Sequence, residues 1–247
     1  MLLFHTLSAL LLAALAFSNA QAGELTRAQV EQLLAKADKQ HLAPLKRKDL
    51  TDLDLSGLDF RHADLWGADL RRANLSHANL SGLNLDLTVM TNIKLVGANL
   101  SNTSIFGVSL MHADATGADF SGSRVIAVME GANFSNANIS NVDWAADMKN
   151  QSMGLMRANL KGANLSGANL SNSKLGRAML KHAKLNKANL KNADLYSADM
   201  DGADLSGADL TGANFSSAKL HDAIFSGAIT QGARFDDVKH KPASLSQ

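Results

Sequence analysis

Apolar residues fall on every fifth position through most of this chain, beginning near Leu50. Ala63-Asp64-Leu65, Ala68-Asp69-Leu70, Ala73-Asn74-Leu75 and Ala78-Asn79-Leu80 open the series, and Ala158-Asn159-Leu160 through Ala213-Asn214-Phe215 carry it through the second half. In each block a Leu, Phe or Met follows an Asp or Asn, which follows a small residue. A beat of five matches neither the 3.6 of a helix nor the 2 of a strand. It predicts a coil in which each block makes one short side. The large and the small residue point inward, and the polar residue and the two after the large one face water. Stacked coils share backbone hydrogen bonds at a spacing of about 4.8 Å. One coil cannot bury its apolar row alone, whereas the stack can.

These blocks resemble the A(D/N)LXX consensus of the pentapeptide-repeat family over roughly three quarters of the chain. The resemblance implies an all-β solenoid, a right-handed quadrilateral β-helix with four blocks per turn. About nine coils then make a rod of about 45 Å at the strand spacing, and residues twenty apart become vertical neighbours. The expected organisation is a signal peptide over 1–22, a helix and capping segment over 23–47, the β-helix over 48–236 and a polar tail over 237–247.

Faults in the beat carry information. Central residues keep phase to Val125, resume one residue early at Phe134, Ile139 and Trp144, and recover the original phase at Leu155 and Leu160. Thus 126–131 loses one residue and 145–153 gains one. Two compensating corner irregularities explain this. So does a protruding loop on a rigid scaffold, a common place for recognition. The small place is also degenerate at Leu83, Thr88, Ile93, Thr103 and Val108.

The ends differ from the middle. Met1 to Phe17 is almost continuously apolar, and Ala20-Gln21-Ala22 offers a signal-peptidase pattern with cleavage after Ala22. The stretch is short for a mature membrane span. Its first residues lack Lys and Arg, so an uncleaved interfacial anchor is the alternative to cleaved export. Thr26 with Gln29 forms a capping-box pattern. Val30, Leu33, Leu34 and Ala37 share the apolar face of the helix that follows, and Pro44 is expected to stop it. That helix should cover the open first coil. Phe215 and Phe235 should stack in successive coils at the far end, where a plug or a homodimer contact is expected; the resemblance implies frequent dimerisation.

Composition narrows the chemistry. Aromatic content is 5%, which suits a narrow core. With no Cys, disulfides and thiolate metal sites are excluded. Net charge is +1, so no overall field selects nucleic acid. Catalysis needs side chains converging in a pocket, and a filled column offers none. His62, His77, His112 and His182 all occupy the second outward place. Twenty-residue counting puts His62 and His182 on one face but about 29 Å apart at the strand spacing, too far to share a metal. No catalytic, cofactor or metal residue is expected. Met148, Met153 and Met156 beside the second irregularity are read as packing.

Two surfaces stand out. From Lys149 to Asn192 there are nine basic residues and no Asp or Glu. Arg157 stacks under Arg177 and Lys161 under Lys181, and such like-charge pairs are mildly unfavourable unless an anion relieves them. A solvated face, with Lys174 offset by Asp194, is the bland reading. Trp66, Phe106 and Ile126 should point outward in one column with Asp86 among them, a candidate apolar contact strip.

The family's best-known activity, DNA mimicry against gyrase by an acidic rod, is implied only weakly by a balanced chain with a basic belt and an export signal. The sequence points instead to an exported, periplasmic or secreted, non-enzymatic scaffold that binds a protein or envelope component through flat faces. The alternative is a peripheral membrane- or polysaccharide-associated protein using the belt over 149–192.

Overall fold

A computed structural model of the protein describes residues 25–148, 156–238, 240 and 242. The signal-peptide expectation over 1–22 therefore lies outside the described residues, as does Leu155.

The backbone hydrogen bonds explain the beat. In the block 164–168, Asn164 N–H donates to the Ala132 carbonyl of the coil below (2.9 Å), while Leu165 and Gly167 donate to Lys184 and Asn186 of the coil above (2.7 and 3.0 Å). Ala168 N–H closes the corner onto Leu165 (3.1 Å). The remaining donor, Ser166 N–H, reaches the side chain of Asn164 (3.1 Å). All five donors are thus satisfied, as an ordered backbone requires. The polar place favours Asp and Asn because only a short side-chain oxygen reaches the N–H two residues on.

Parallel pairing between coils runs at an offset of twenty, as in Asp54 with Asn74 and Asn74 with Lys94, so each turn holds four five-residue sides. Longer strands occur at β1 (Ala43–Pro44), which pairs with β2 (Ala63–Asp64), and at β3 (Ser104–Ser109), which pairs with β4 (Arg124–Val128). The ladder thus begins at Ala43, ahead of the boundary expected at 48.

The large central residues and the small residues are buried together in one continuous core. The degenerate small places stay inside: Ile93 is fully buried and Val108 nearly so. Thr88 and Thr103 bury their hydroxyls by donating to the carbonyls of Leu85 and Leu100 (2.6 and 2.8 Å). Near mid-column, Phe120, Phe134 and Trp144 meet edge to face, with ring centroids 5.5–6.0 Å apart. Trp144 Nε1 donates to the buried Ser123 hydroxyl (3.2 Å).

Outside, amide side chains form ladders along the column. Asn189 donates to Asn169 (3.0 Å), Asn169 to Asn138 (3.2 Å), and Asn138 to Asp119 (3.0 Å). A carboxylate suits the foot of such a ladder because it only accepts.

Helix α1 (Arg27–Ala35) starts on the expected capping box, with Thr26 and Gln29 bonded reciprocally. It ends at Ala35, capped by Lys36, well before Pro44, which instead belongs to β1. The expected stop at Pro44 is therefore wrong; the chain needs Ala43 and Pro44 extended to pair with β2. Val30 is fully buried, and Leu33, Leu34 and Ala37 pack against the core. Arg27 donates to the carbonyls of Asp54 (2.8 Å) and Ser56 (3.2 Å) in the first coil. In later coils those carbonyl positions accept from the coil below. Here Arg27 supplies the donors.

At the other end Phe215 and Phe235 stack, 5.1 Å apart and nearly parallel, with Phe225 edge-on to both. Ile224 and Ile229 are exposed in the polar places of this last coil. No described helix is long and apolar enough to cross a membrane.

Candidate functional site

The two faults in the beat meet at one corner. Pairing offsets shorten to nineteen at Asp114–Asn133 and Arg124–Asp143, and lengthen to thirty-one at Val128–Asn159 and Asp143–Lys174. The first change matches the single residue expected to be lost. The second does not match a gain of one: an offset of thirty-one in place of twenty puts eleven extra residues into one turn. A phase read in fives cannot tell one from eleven. The excursion leaves after Ala146, whose N–H bonds to Gly176 of the coil above (3.0 Å), and is closed at its base by antiparallel pairing of Asp147 with Met156 (2.9 Å). The expected loop over 145–153 thus has its base described; residues 149–155 lie outside the described residues.

Directly beneath, β4 cuts the corner. Phe106 pairs with Ile126 and Val108 with Ala127, so Gly107 of β3 has no counterpart and bulges. A full corner below, a missing residue, and an excursion above together leave a notch of about 400 Å³. It is lined by Gly107, Val108, Ser109, Ile126, Ala127, Val128, Met156 and Arg157.

This geometry corrects the expected strip. Ile126 keeps the outward register of Phe106, with which it pairs, but it is only 3% exposed, so it adds no exposed apolar surface to the strip. Trp66 and Phe106 are half-buried on the same column. Trp66 is flanked by its own chain's cations, with Lys46 Nζ 4.7 Å and the Arg47 guanidinium 4.8 Å from the ring. Asp86, between them, accepts from Phe106 N–H and the Ser104 hydroxyl (both 2.9 Å).

The belt residues stand in the expected columns, since Asn159 pairs with Met179 and Gly162 bonds to Lys181. Their isolation from acids does not survive. Lys161 meets Glu130 of the coil below (3.4 Å) and Lys191 meets Asp209 of the coil above (3.1 Å). The column of Lys161 and Lys181 continues upward to Asp201, whose carbonyl accepts from His182. Lys174 pairs in the ladder with Asp143 below and Asp194 above. Arg177 lies 5.8 Å from the Tyr196 ring. Arg157 has no carboxylate partner among the described residues and stands on the notch rim. The stretch that follows, 193–218, carries five Asp and no Lys or Arg. Twenty-residue counting finds those acids; Glu130 was hidden because it stands thirty-one residues from Lys161.

The histidine columns also change. His62 and His182 do not share a face, because the intervening offsets of nineteen and thirty-one turn the count by two sides. His112 and His182 share a column instead, through Gly131 and Gly162. They stand three coils, about 14 Å, apart. Among the described residues no three His, Cys, Asp or Glu side chains gather as a metal-binding group.

The first coil is the most strongly charged. Asp52 is held below the usual carboxylate range by its hydrogen bond from Arg72, and Asp59 by that from Arg61.

A sequence model described as pentapeptide repeats matches in eight copies, over residues 54–92, 84–122, 155–192 and 188–227. Among solved structures, HetL is a pentapeptide repeat protein involved in heterocyst differentiation regulation from the cyanobacterium Nostoc sp. strain PCC 7120. It is 28% identical, covers 87% of this chain and 95% of its own, and gives a TM-score of 0.42. A trypsin-treated QnrB1, a plasmid-mediated fluoroquinolone resistance protein, is 20% identical over 82% of this chain and 86% of its own, with a TM-score of 0.51. The likeness to QnrB1 is one of fold. No curated protein matches the chain.

Proposed function

Since the chain belongs to the pentapeptide-repeat family, we propose that it is a non-enzymatic scaffold, exported from the cytoplasm, that holds a protein partner against the corner bearing the notch. Members of the family fold as right-handed quadrilateral β-helices, and we read this coil with the same hand and α1 as its N-terminal cap. The carrying observation is the coincidence, at one corner, of a shortened turn and an eleven-residue excursion on an otherwise regular column. Regular faces need only the repeat; an irregularity kept on two adjacent coils serves presentation.

Export rests on the apolar stretch and the Ala20-Gln21-Ala22 pattern, with a mature start at Gly23. Ile224, Ile229 and the Phe cluster at the last coil suit contact with a second copy. The alternative, an anionic surface bound by the belt, is weakened because Glu130, Asp143, Asp194, Asp201 and Asp209 bracket its cations.

Site-specific photo-crosslinking tests the reading. A crosslinker at Val128, on the notch, should capture one protein in the exported fraction, and one at Lys187, on the opposite corner, should not. Equal capture from both positions, or none from Val128, would remove the proposal. Sequencing the mature N-terminus tests export, which a full-length cytoplasmic product would overturn.

A further inference from the structure

Resting on that scaffold reading, we infer that the notch binds an extended peptide segment of the partner in which an aliphatic side chain lies within two residues of an Asp or Glu. Shape comes first. The volume of about 400 Å³ falls in the range of sites that take small ligands or a few residues. Among the described residues the notch lies between Gly107, Val108 and Ser109 of one coil and Met156 and Arg157, so a strand-like segment running along the coil fits it better than a flat membrane surface.

The lining gives the first half of the motif. Val108, Ile126 and Ala127 form a buried apolar floor. Val128 is 40% exposed in a place where the coil above carries Asn159. An apolar residue in the polar place leaves dry surface that a partner's aliphatic group can cover. Gly107 puts no side chain of its own on the lower wall, where Leu87 of the coil below lies 3.3 Å from its Cβ position and is itself exposed apolar surface.

Arg157 gives the second half. It stands on the rim, no acidic residue among the described ones lines the notch, and Arg177 lies one coil above, engaged with Tyr196. Of the other belt cations, Lys161 and Lys191 have carboxylates of their own. A guanidinium beside apolar surface selects a carboxylate, to which it offers paired donors.

Selection from a phage-displayed library of randomised heptapeptides on the purified chain tests this. Peptides pairing Val, Leu or Ile with Asp or Glu within two positions should be enriched. Arg157→Gln should abolish the acidic preference and weaken a selected peptide at least tenfold. Val128→Asp should weaken it similarly while keeping the denaturation midpoint, since Asp is ordinary at that place in the repeat; Lys187→Gln should leave binding unchanged. Enrichment of peptides without acids, or acidic peptides indifferent to both notch variants, overturns the inference. So does Arg157-dependent binding to anionic vesicles without any peptide enrichment. If Val128 crosslinks a protein while the selection fails, the motif is wrong and the scaffold reading stands. If neither occurs, both fall.

Discussion

Removing residues 147–157 tests the register directly. The cut joins Ala146 to Ala158, so Trp144, Ala145, Ala146, Ala158, Asn159 and Leu160 fall into one ordinary side; Ala146→Gly supplies the second corner place with the residue common there. Closing an eleven-residue loop costs about 2 kcal/mol by the logarithmic length rule, and the deletion recovers that. Against it stand, among the described residues, the backbone hydrogen bond of Asp147 to Met156, worth about 1 kcal/mol, the other contacts of Asp147 and Met148 at the surface, and packing of the half-buried Met156 and Arg157, worth about 1 kcal/mol. The net change should lie within about 1–2 kcal/mol of zero. Far-UV circular dichroism during guanidinium denaturation reads it, and binding at the notch should disappear although the fold persists. Had those residues formed two buried sides with Leu155 central, their loss would cost several kcal/mol, since each large core side chain removed costs about 2–5 kcal/mol. A loss above about 3 kcal/mol, or an unfolded product, would refute the thirty-one-residue turn.

Other expectations concern stability. Trp144→Ala should cost about 3–5 kcal/mol, and Trp144→Phe only about 1 kcal/mol for the lost bond to Ser123; equal midpoints in urea for the two variants would contradict the aromatic cluster. Gly97 and Gly117 have nearly equal positive φ (62° and 64°), but a Cβ at Gly97 would sit 2.7 Å from His77 Nδ1 while one at Gly117 meets nothing within 4 Å. Gly117→Ala should cost about 1 kcal/mol for the left-handed backbone alone, Gly97→Ala more, and His77→Ala should remove the difference. Arg27→Ala should speed amide exchange in the first coil and leave the last coils unchanged, because coils contact only their neighbours; uniform acceleration would argue against its local role. Asp52 and Asp59 are depressed in the folded state, so their contribution is present above the ordinary carboxylate value near 3.8 and is lost as pH falls below it. First-coil protection, taken relative to the intrinsic exchange rate at each pH, should therefore fall at pH 3 relative to pH 6, less so in Asp52→Asn with Asp59→Asn.

Much of the column was legible beforehand. Thr26 and Gln29 announced α1, and the spacing of Phe215 and Phe235 announced their stacking. Leu, Ala and Asn at fixed places in each five announced which side chains enter the core. These are local or strictly periodic features, for which position in the block already states the environment. The candidate site was only half legible: the faults at 126–131 and 145–153 were visible, but not that they adjoin. Ile126 read as exposed from its outward place in the block, and its burial shows only in the assembled corner. Glu130 and Lys161 could not be matched without knowing that one turn holds thirty-one residues.

The sequence by itself determined the beat, the inward and outward places, the helix start and the phase of each segment. Only the tertiary structure decided how many residues each turn consumes, and so which faults, charges and histidines become vertical neighbours. The physical reason is that a five-residue side is specified by burial and hydrogen bonding within the block, which any multiple of five satisfies equally. Which coil lies above which is settled by the stacking of parallel backbones through the whole column.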